Sequence, residues 1–207
     1  MRKTYFAMIA GSLAIAMVVM GGSRLRAQVG STGSSRIPLS SLAGSFAGEG
    51  NSKVNICFNE NFTAVQSCSR TLQAQIVPYV EHAKSHGTIN AKGGSCGEIV
   101  EISAPVPPGR QETAVNHYIA VGVTTFYNPD TGSGDVSYKF YRRLGNLTCK
   151  GATFVNTANA PVIFTETAHF AVSENGNRFD LVVLTFHTIS PVYFVSGLVA
   201  HGFALRQ

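Results

Sequence analysis

Hydrophobic residues recur with period two over much of the chain, most clearly between Val162 and Leu205. In the run Val162 to Val172, Phe164, Ala168, Phe170 and Val172 fall on one side, with Glu166 the polar intruder among them. That period belongs to a strand with one apolar face. Asn175-Gly176 follows and supplies the pair of positive φ angles that a type I′ hairpin turn needs. A turn centred there sets Phe170 against Leu181, Ala168 against Val183, Glu166 against Thr185 and Phe164 against His187. The partner run, Phe179 to Thr188, is apolar at nearly every position. Such a strand is expected to be covered on both faces, by the core on one side and by a loop, helix or partner on the other. Val192 to Leu205 predicts a third strand, with bends or bulges at Gly197 and Gly202.

Upstream, the pattern repeats. His117 to Tyr127 alternates, with His117 on the more apolar face, and the next strand puts Val136, Tyr138 and Phe140 opposite Asp135, Ser137 and Lys139. The intervening Asn128-Pro-Asp-Thr-Gly132-Ser-Gly134-Asp135 contains a Gly-x-Gly-Asp. A single copy with no helix after it reads as a hairpin loop, in preference to a calcium repeat or a phosphate cradle. Glu98 to Ser103 is a further strand, Ala104 to Gln111 a Pro-rich surface loop, and Lys53 to Phe58 and Phe62 to Gln66 flank an earlier loop. Thr71 to Val80 reads either as a strand broken at Pro78 or as the approach to a short helix from Pro78 to Gly87. The choice bears on His82 and His86, four apart, which would be neighbours on a helix face. They read as exposed polar residues, since no further ligands lie nearby in sequence.

The first 27 residues break the pattern. Arg2 and Lys3 precede an uncharged run from Tyr5 to Gly22, and Ala27 follows Arg26, which describes an export signal cleaved near Ala27-Gln28. If retained, the run would act as an N-terminal membrane anchor. Cleavage leaves 180 of the 207 residues, of which 28–40 are expected as a Gly/Ser-rich disordered tether and 41–207 as a single β domain. It also changes the charge. The whole chain carries 16 Lys and Arg against 11 Asp and Glu, but four of the sixteen leave with the leader, so the remainder is close to neutral. Neither nucleic acid nor, after cleavage, a membrane is therefore expected as partner. The expected location is exported, periplasmic or extracellular.

Four cysteines remain, Cys57, Cys68, Cys96 and Cys149, with none of the close spacings of a zinc site. An even number in an exported chain reads as two disulfides. Of the three connectivities we favour Cys57 with Cys68 and Cys96 with Cys149, worth about 3 and about 4 kcal/mol by loop entropy.

Catalytic signatures are few: no Gly-x-Ser-x-Gly elbow, His-Glu-x-x-His or Walker loop is present, and no cofactor or metal is expected. In the hairpin register above, Glu166 and His187 lie diagonally on one face among Phe164, Phe170, Leu181 and Val183. They form a candidate acid/base pair or part of a metal site, with His117 a third member if its strand comes close. An ion pair without chemistry is the plainer reading.

Taken together, Leu42-Ala-Gly44-Ser-Phe46, Cys57 and Cys68 about a short loop, Phe126 to Asp135, Cys149-Lys-Gly151-Ala-Thr-Phe154 and His169 to Gly176 resemble a group of uncharacterised exported bacterial β-barrel proteins. The opening Gly-x-Phe is weakly similar to the Gly-x-Trp of the lipocalin/calycin first strand, with Phe46 in place of the Trp. The resemblance implies a closed or nearly closed antiparallel barrel and transfers no functional residue. Counting runs gives an all-β fold of about eight to ten strands, an up-and-down barrel in preference to a sandwich. The expected role is binding of a small apolar ligand in the lumen. A surface or assembly role and an enzyme using Glu166 and His187 are the alternatives.

Overall fold

The computed structural model describes residues 36–61, 63–69, 74–106, 113–143, 145–173 and 175–207. The leader expected over residues 1–27, and the tether up to residue 35, lie outside them. Eight long strands form a closed antiparallel barrel: β1 (Gly44–Phe58), β2 (Gln75–Ile89), β3 (Gly94–Pro105), β4 (Ala114–Asn128), β5 (Ser133–Arg142), β8 (Phe164–Val172), β9 (Arg178–Thr188) and β10 (Val195–Arg206). Each pairs with the next in that order, and β10 closes on β1. The remaining strands, β6 (Leu147–Lys150) and β7 (Thr153–Asn156), make a small separate hairpin. An up-and-down barrel of this size satisfies every strand edge within one chain.

Alternation decides what faces the lumen. Val136, Tyr138 and Phe140 of β5 point inward as their pattern predicts, and Asp135, Ser137 and Lys139 point out. On β4 the expectation is reversed: Tyr118 and Ala120 line the lumen while His117 is exposed outside. The apolar row containing Ile119 lies on the outer wall because β6 and β7 cover it. Ile119 is 0% exposed and packs with Cys96, Leu147, Cys149 and Phe154. The Cys96–Cys149 bridge fastens this hairpin to β3, and Cys57–Cys68 closes the loop after β1, as favoured from the sequence.

Residues 75–89 form one continuous strand, so the helical alternative from Pro78 is ruled out. Pro78 sits inside β2, where its carbonyl accepts the Val106 N–H at 2.7 Å. His82 and His86 share the outer face of the strand, but four residues of strand set them about 13 Å apart. Of the strand expected over residues 62–66, Phe62 lies outside the described residues, and residues 63–66 form no strand beyond a single bridge from Ala64 to Phe58.

The β8–β9 hairpin keeps its predicted register near the turn, with Phe170 opposite Leu181 and Ala168 opposite Val183. The turn itself differs from the two-residue type I′ form: Gly176 has positive φ, at 69°, its N–H donates to Ser173 O, and the Asn175 side chain accepts the N–H of Asn177. Ser173 N–H donates to Arg178 O at 2.9 Å, making a longer loop of the same register. The cover expected over the outer face of β9 is missing among the described residues, with Val182 53% and Leu184 59% exposed. On β10, Gly197 (φ 62°) forms a bulge against β1, whereas Gly202 stays in regular register opposite Gly50.

One end of the barrel is plugged by a segment that begins within the expected tether and runs on to Leu42. A 3-10 turn, Leu39–Leu42, carries Leu42 into the end of the barrel against Phe46, Phe170 and Phe179. Ile37 N–H donates to Pro129 O at 2.9 Å, and the Tyr127 hydroxyl donates to Ile37 O at 2.8 Å. The folded domain thus includes residues 36–40 and does not begin at 41. Ile37, Leu39 and Leu42 are the apolar positions that give this short segment its burial energy.

Candidate functional site

Above the plug the lumen holds a cavity of ≈ 240 Å³. Its apolar wall includes Phe140, Phe164, Phe186, Leu181, Val183 and Leu198. Phe140 and Phe164 stack at 4.2 Å between centroids, and Phe164 meets Phe186 at 4.9 Å. Small residues opposite, Gly50, Ser52, Ala83 and Ala200, leave the volume open. At the end away from the plug stands Tyr193. Its N–H donates to Thr188 Oγ1 at 3.0 Å, and the same hydroxyl donates to Tyr193 O at 2.9 Å.

Three carboxylates point into this apolar space: Glu81 from β2, Glu101 from β3 and Glu166 from β8. The β2–β3 register sets Glu81 opposite Ser103 and Glu101 opposite Ala83, so the two acids are diagonal neighbours on the inner face. Glu81 accepts a hydrogen bond from Ser52 Oγ. Glu101 Oε1 accepts from Ser103 Oγ at 3.1 Å and from Asn116 Nδ2 at 3.2 Å, and Glu101 is also hydrogen-bonded by Tyr118. Glu166 is flanked by its cross-strand partners Tyr138 and Phe186 and makes no hydrogen bond among the described residues.

Removal from water without a cationic partner raises all three carboxyls. Burial, with the neighbouring Glu101 charge, pushes Glu81 up to about 7. Burial raises Glu101, against the lowering effect of its hydrogen bonds. Burial, reinforced by Glu101 and Glu81, pushes Glu166 up to about 8. Tyr118 is raised by burial and by the acids, and Tyr138 and Tyr193 are each pushed up to about 12. Near neutral pH the cluster holds protons, so its hydroxyls and carboxyls serve as donors as well as acceptors.

The acid/base pair expected from the sequence is not assembled. A bulge between Thr167 and Ala168 inserts Leu184 on the partner strand, and beyond it the register moves by one residue. Glu166 then faces Phe186, while His187 pairs with Thr165 and points out to solvent with His117. Slippage by one residue reverses the face of every later side chain. Glu166 therefore lines the cavity, and both histidines face outward. Among the described residues no three His, Cys, Asp or Glu side chains are grouped closely enough to hold a metal ion.

Sequence reasoning missed Glu81 and Glu101. In Ile99-Val-Glu101-Ile-Ser103 the face containing Val100 and Ile102 is the more apolar, yet it is the outer one, and both valine and isoleucine are exposed. The readable signal was a set of lone carboxylates at strand positions flanked by serine and tyrosine. Pairing information was needed to bring them together. Comparison with family models, curated proteins and solved structures finds no match to this chain.

Proposed function

We propose that this protein is an exported carrier or receptor that holds one small, largely apolar molecule in its barrel lumen. The observation that carries the reading is the cavity of ≈ 240 Å³ walled by Phe140, Phe164, Phe186, Leu181 and Leu198. An engineered apolar cavity of about 150 Å³ is enough for benzene, so this one has room for roughly ten non-hydrogen atoms. Such a void loses packing energy unless something occupies it, and the lumen of a small closed barrel is where single ligands are held. The two disulfides support an oxidising, extracytoplasmic location. The outer faces of β1 and β5 carry Glu49, Asn51 and Lys53, and Asp135 and Lys139, a surface suited to water and costly in lipid.

The test is displacement of an apolar fluorescent dye. The wild-type barrel is expected to bind the dye at about one equivalent, and Ala83→Leu, which fills the open side of the cavity, to lose at least tenfold in affinity while keeping its fold. Equal binding by both proteins would place the dye outside the lumen and count against the reading.

A second reading has its own observation. Val182 and Leu184 of β9 and Val199 of β10 are all exposed on adjoining parts of the outer wall, a patch that would suit an interface with another chain. Sedimentation velocity distinguishes it: a concentration-dependent dimer abolished by Leu184→Lys supports an assembly role, and a monomer at all concentrations opposes it.

A further inference from the structure

We infer that the luminal site is built for an organic amine, with the ammonium group paired to Glu166 while Glu81 and Glu101 add negative charge from the facing wall, and the apolar body lying on Phe140, Phe164 and Phe186. This rests on the carrier reading and deepens it by naming the ligand class. The inward-pointing charges of the cavity are all acidic: among the described residues no lysine or arginine lines it, and the three acids come from three strands, with Glu166 on β8 across the barrel from Glu81 on β2. Arg142, the cross-strand partner of Tyr118, is exposed and forms no ion pair with any of the three.

The second observation is the state of Glu166. Glu81 is satisfied by Ser52, and Glu101 by Ser103, Asn116 and Tyr118, but Glu166 is half-buried, opens onto the cavity and makes no hydrogen bond among the described residues. A carboxyl facing an apolar cavity loses hydration that a ligand group can restore. Nothing in the packing requires it, since a leucine or methionine there would match the wall formed by Phe164 and Ala168. The missing partner is therefore expected in the ligand. A bare metal ion does not fit the arrangement, because the acids do not converge on one point. An ammonium group on an organic body needs only one carboxylate in contact, which Glu166 offers, while Glu81 and Glu101 act at longer range and the rings of Tyr118, Tyr138 and Tyr193 line the same space.

Ligand binding would also move protons. Carboxyls held protonated in the empty barrel must ionise to pair with the ammonium, so each binding event releases protons to the buffer. The facing groups that set this balance are Glu81, Glu101, Glu166, Tyr118, Tyr138 and Tyr193, with Ser52, Ser103 and Asn116 as hydrogen-bonding neutrals and Arg142 beside Tyr118.

The experiment is isothermal titration calorimetry on the full folded chain with three probes of equal size: 2-phenylethylamine, 2-phenylethanol and phenylacetate. At pH 7.5 the amine is expected to bind at least tenfold more tightly than the alcohol. Its heat should change between buffers of different ionisation enthalpy in the sense of proton release. Phenylacetate is expected to bind more weakly than the alcohol. Glu166→Gln, and to a smaller extent Glu101→Gln, should narrow the preference for amine over alcohol, Glu166→Gln to within about twofold, and an undiminished preference in Glu166→Gln would overturn the assignment. An alcohol bound as tightly as the amine by the wild type would overturn the amine assignment and leave the carrier reading standing. If no probe binds and the apolar dye fails as well, both readings fall.

Discussion

Replacing Glu166 by Gln should make the barrel less sensitive to pH and more stable in mild alkali. In the empty folded state burial and the neighbouring acids hold the Glu166 carboxyl at about 8, against an ordinary value of 4.5. Between those two values the folded chain keeps a proton that the unfolded chain has released. Stability is therefore complete below the unfolded value and declines as pH rises toward the folded one. Each retained proton changes the unfolding free energy by about 1.4 kcal/mol per pH unit, so this residue alone would contribute a loss of about 2 to 4 kcal/mol between pH 5 and pH 8. Glutamine has the same shape and never ionises, so that share of the slope disappears. Glu81 and Glu101 lose a repelling neighbour in the variant, which flattens the profile further. The assay is urea unfolding of the wild type and Glu166→Gln at half-unit steps from pH 5 to pH 8.5. The variant should be the more stable protein above pH 7.5, with the two curves converging near pH 5. Parallel profiles, or a wild type that gains stability as pH rises, would refute the claim that an unpaired carboxyl sits in the lumen.

Other outcomes follow from the frame around the lumen. The double variant Cys96→Ala, Cys149→Ala should lose about 4 kcal/mol by denaturant unfolding, since the bridge spans 53 positions and holds the β6–β7 hairpin over Ile119. A loss below 1 kcal/mol would mean that the hairpin stays in place unaided. Arg206→Ala should free the plug: its guanidinium donates to Ser41 O at 2.7 Å, Ala43 O at 3.1 Å and Gly176 O at 3.3 Å and lies over the Phe46 ring. A cost of about 1.5 to 3 kcal/mol is expected, with faster amide exchange concentrated at residues 41–43, and unchanged exchange there would contradict the role. His117→Ala and His187→Ala, both on the outer surface, should change stability by less than about 0.5 kcal/mol and leave luminal binding intact by dye titration.

Much of the architecture was legible because its causes are local. Period two in Val136, Tyr138 and Phe140 marked an inner face, Asn175-Gly176 marked a hairpin, and cysteines 11 and 53 apart found the partners expected of them. The errors came where a neighbour unseen in the local pattern decided the outcome. Ile119 pointed outward because the β6–β7 hairpin covers it, so the more apolar face of β4 was not the luminal one. Glu166 and His187 were separated by one inserted residue, Leu184, which no local pattern announces. Glu81 and Glu101 were hidden for a further reason. A ligand cavity is by nature a place where the inner face departs from apolar alternation, so rules for a packed core assign such residues to the outside.

The central claim, that a small molecule occupies the lumen, is tested most directly by native mass spectrometry of the protein isolated from its natural source. Wild type and Ala83→Leu are isolated in parallel, each compared with its denatured mass. A mass excess that corresponds to about ten non-hydrogen atoms, vanishes on denaturation and is absent from the filled variant is the predicted result. A bare mass for the wild type, or an equal excess in Ala83→Leu, would contradict it.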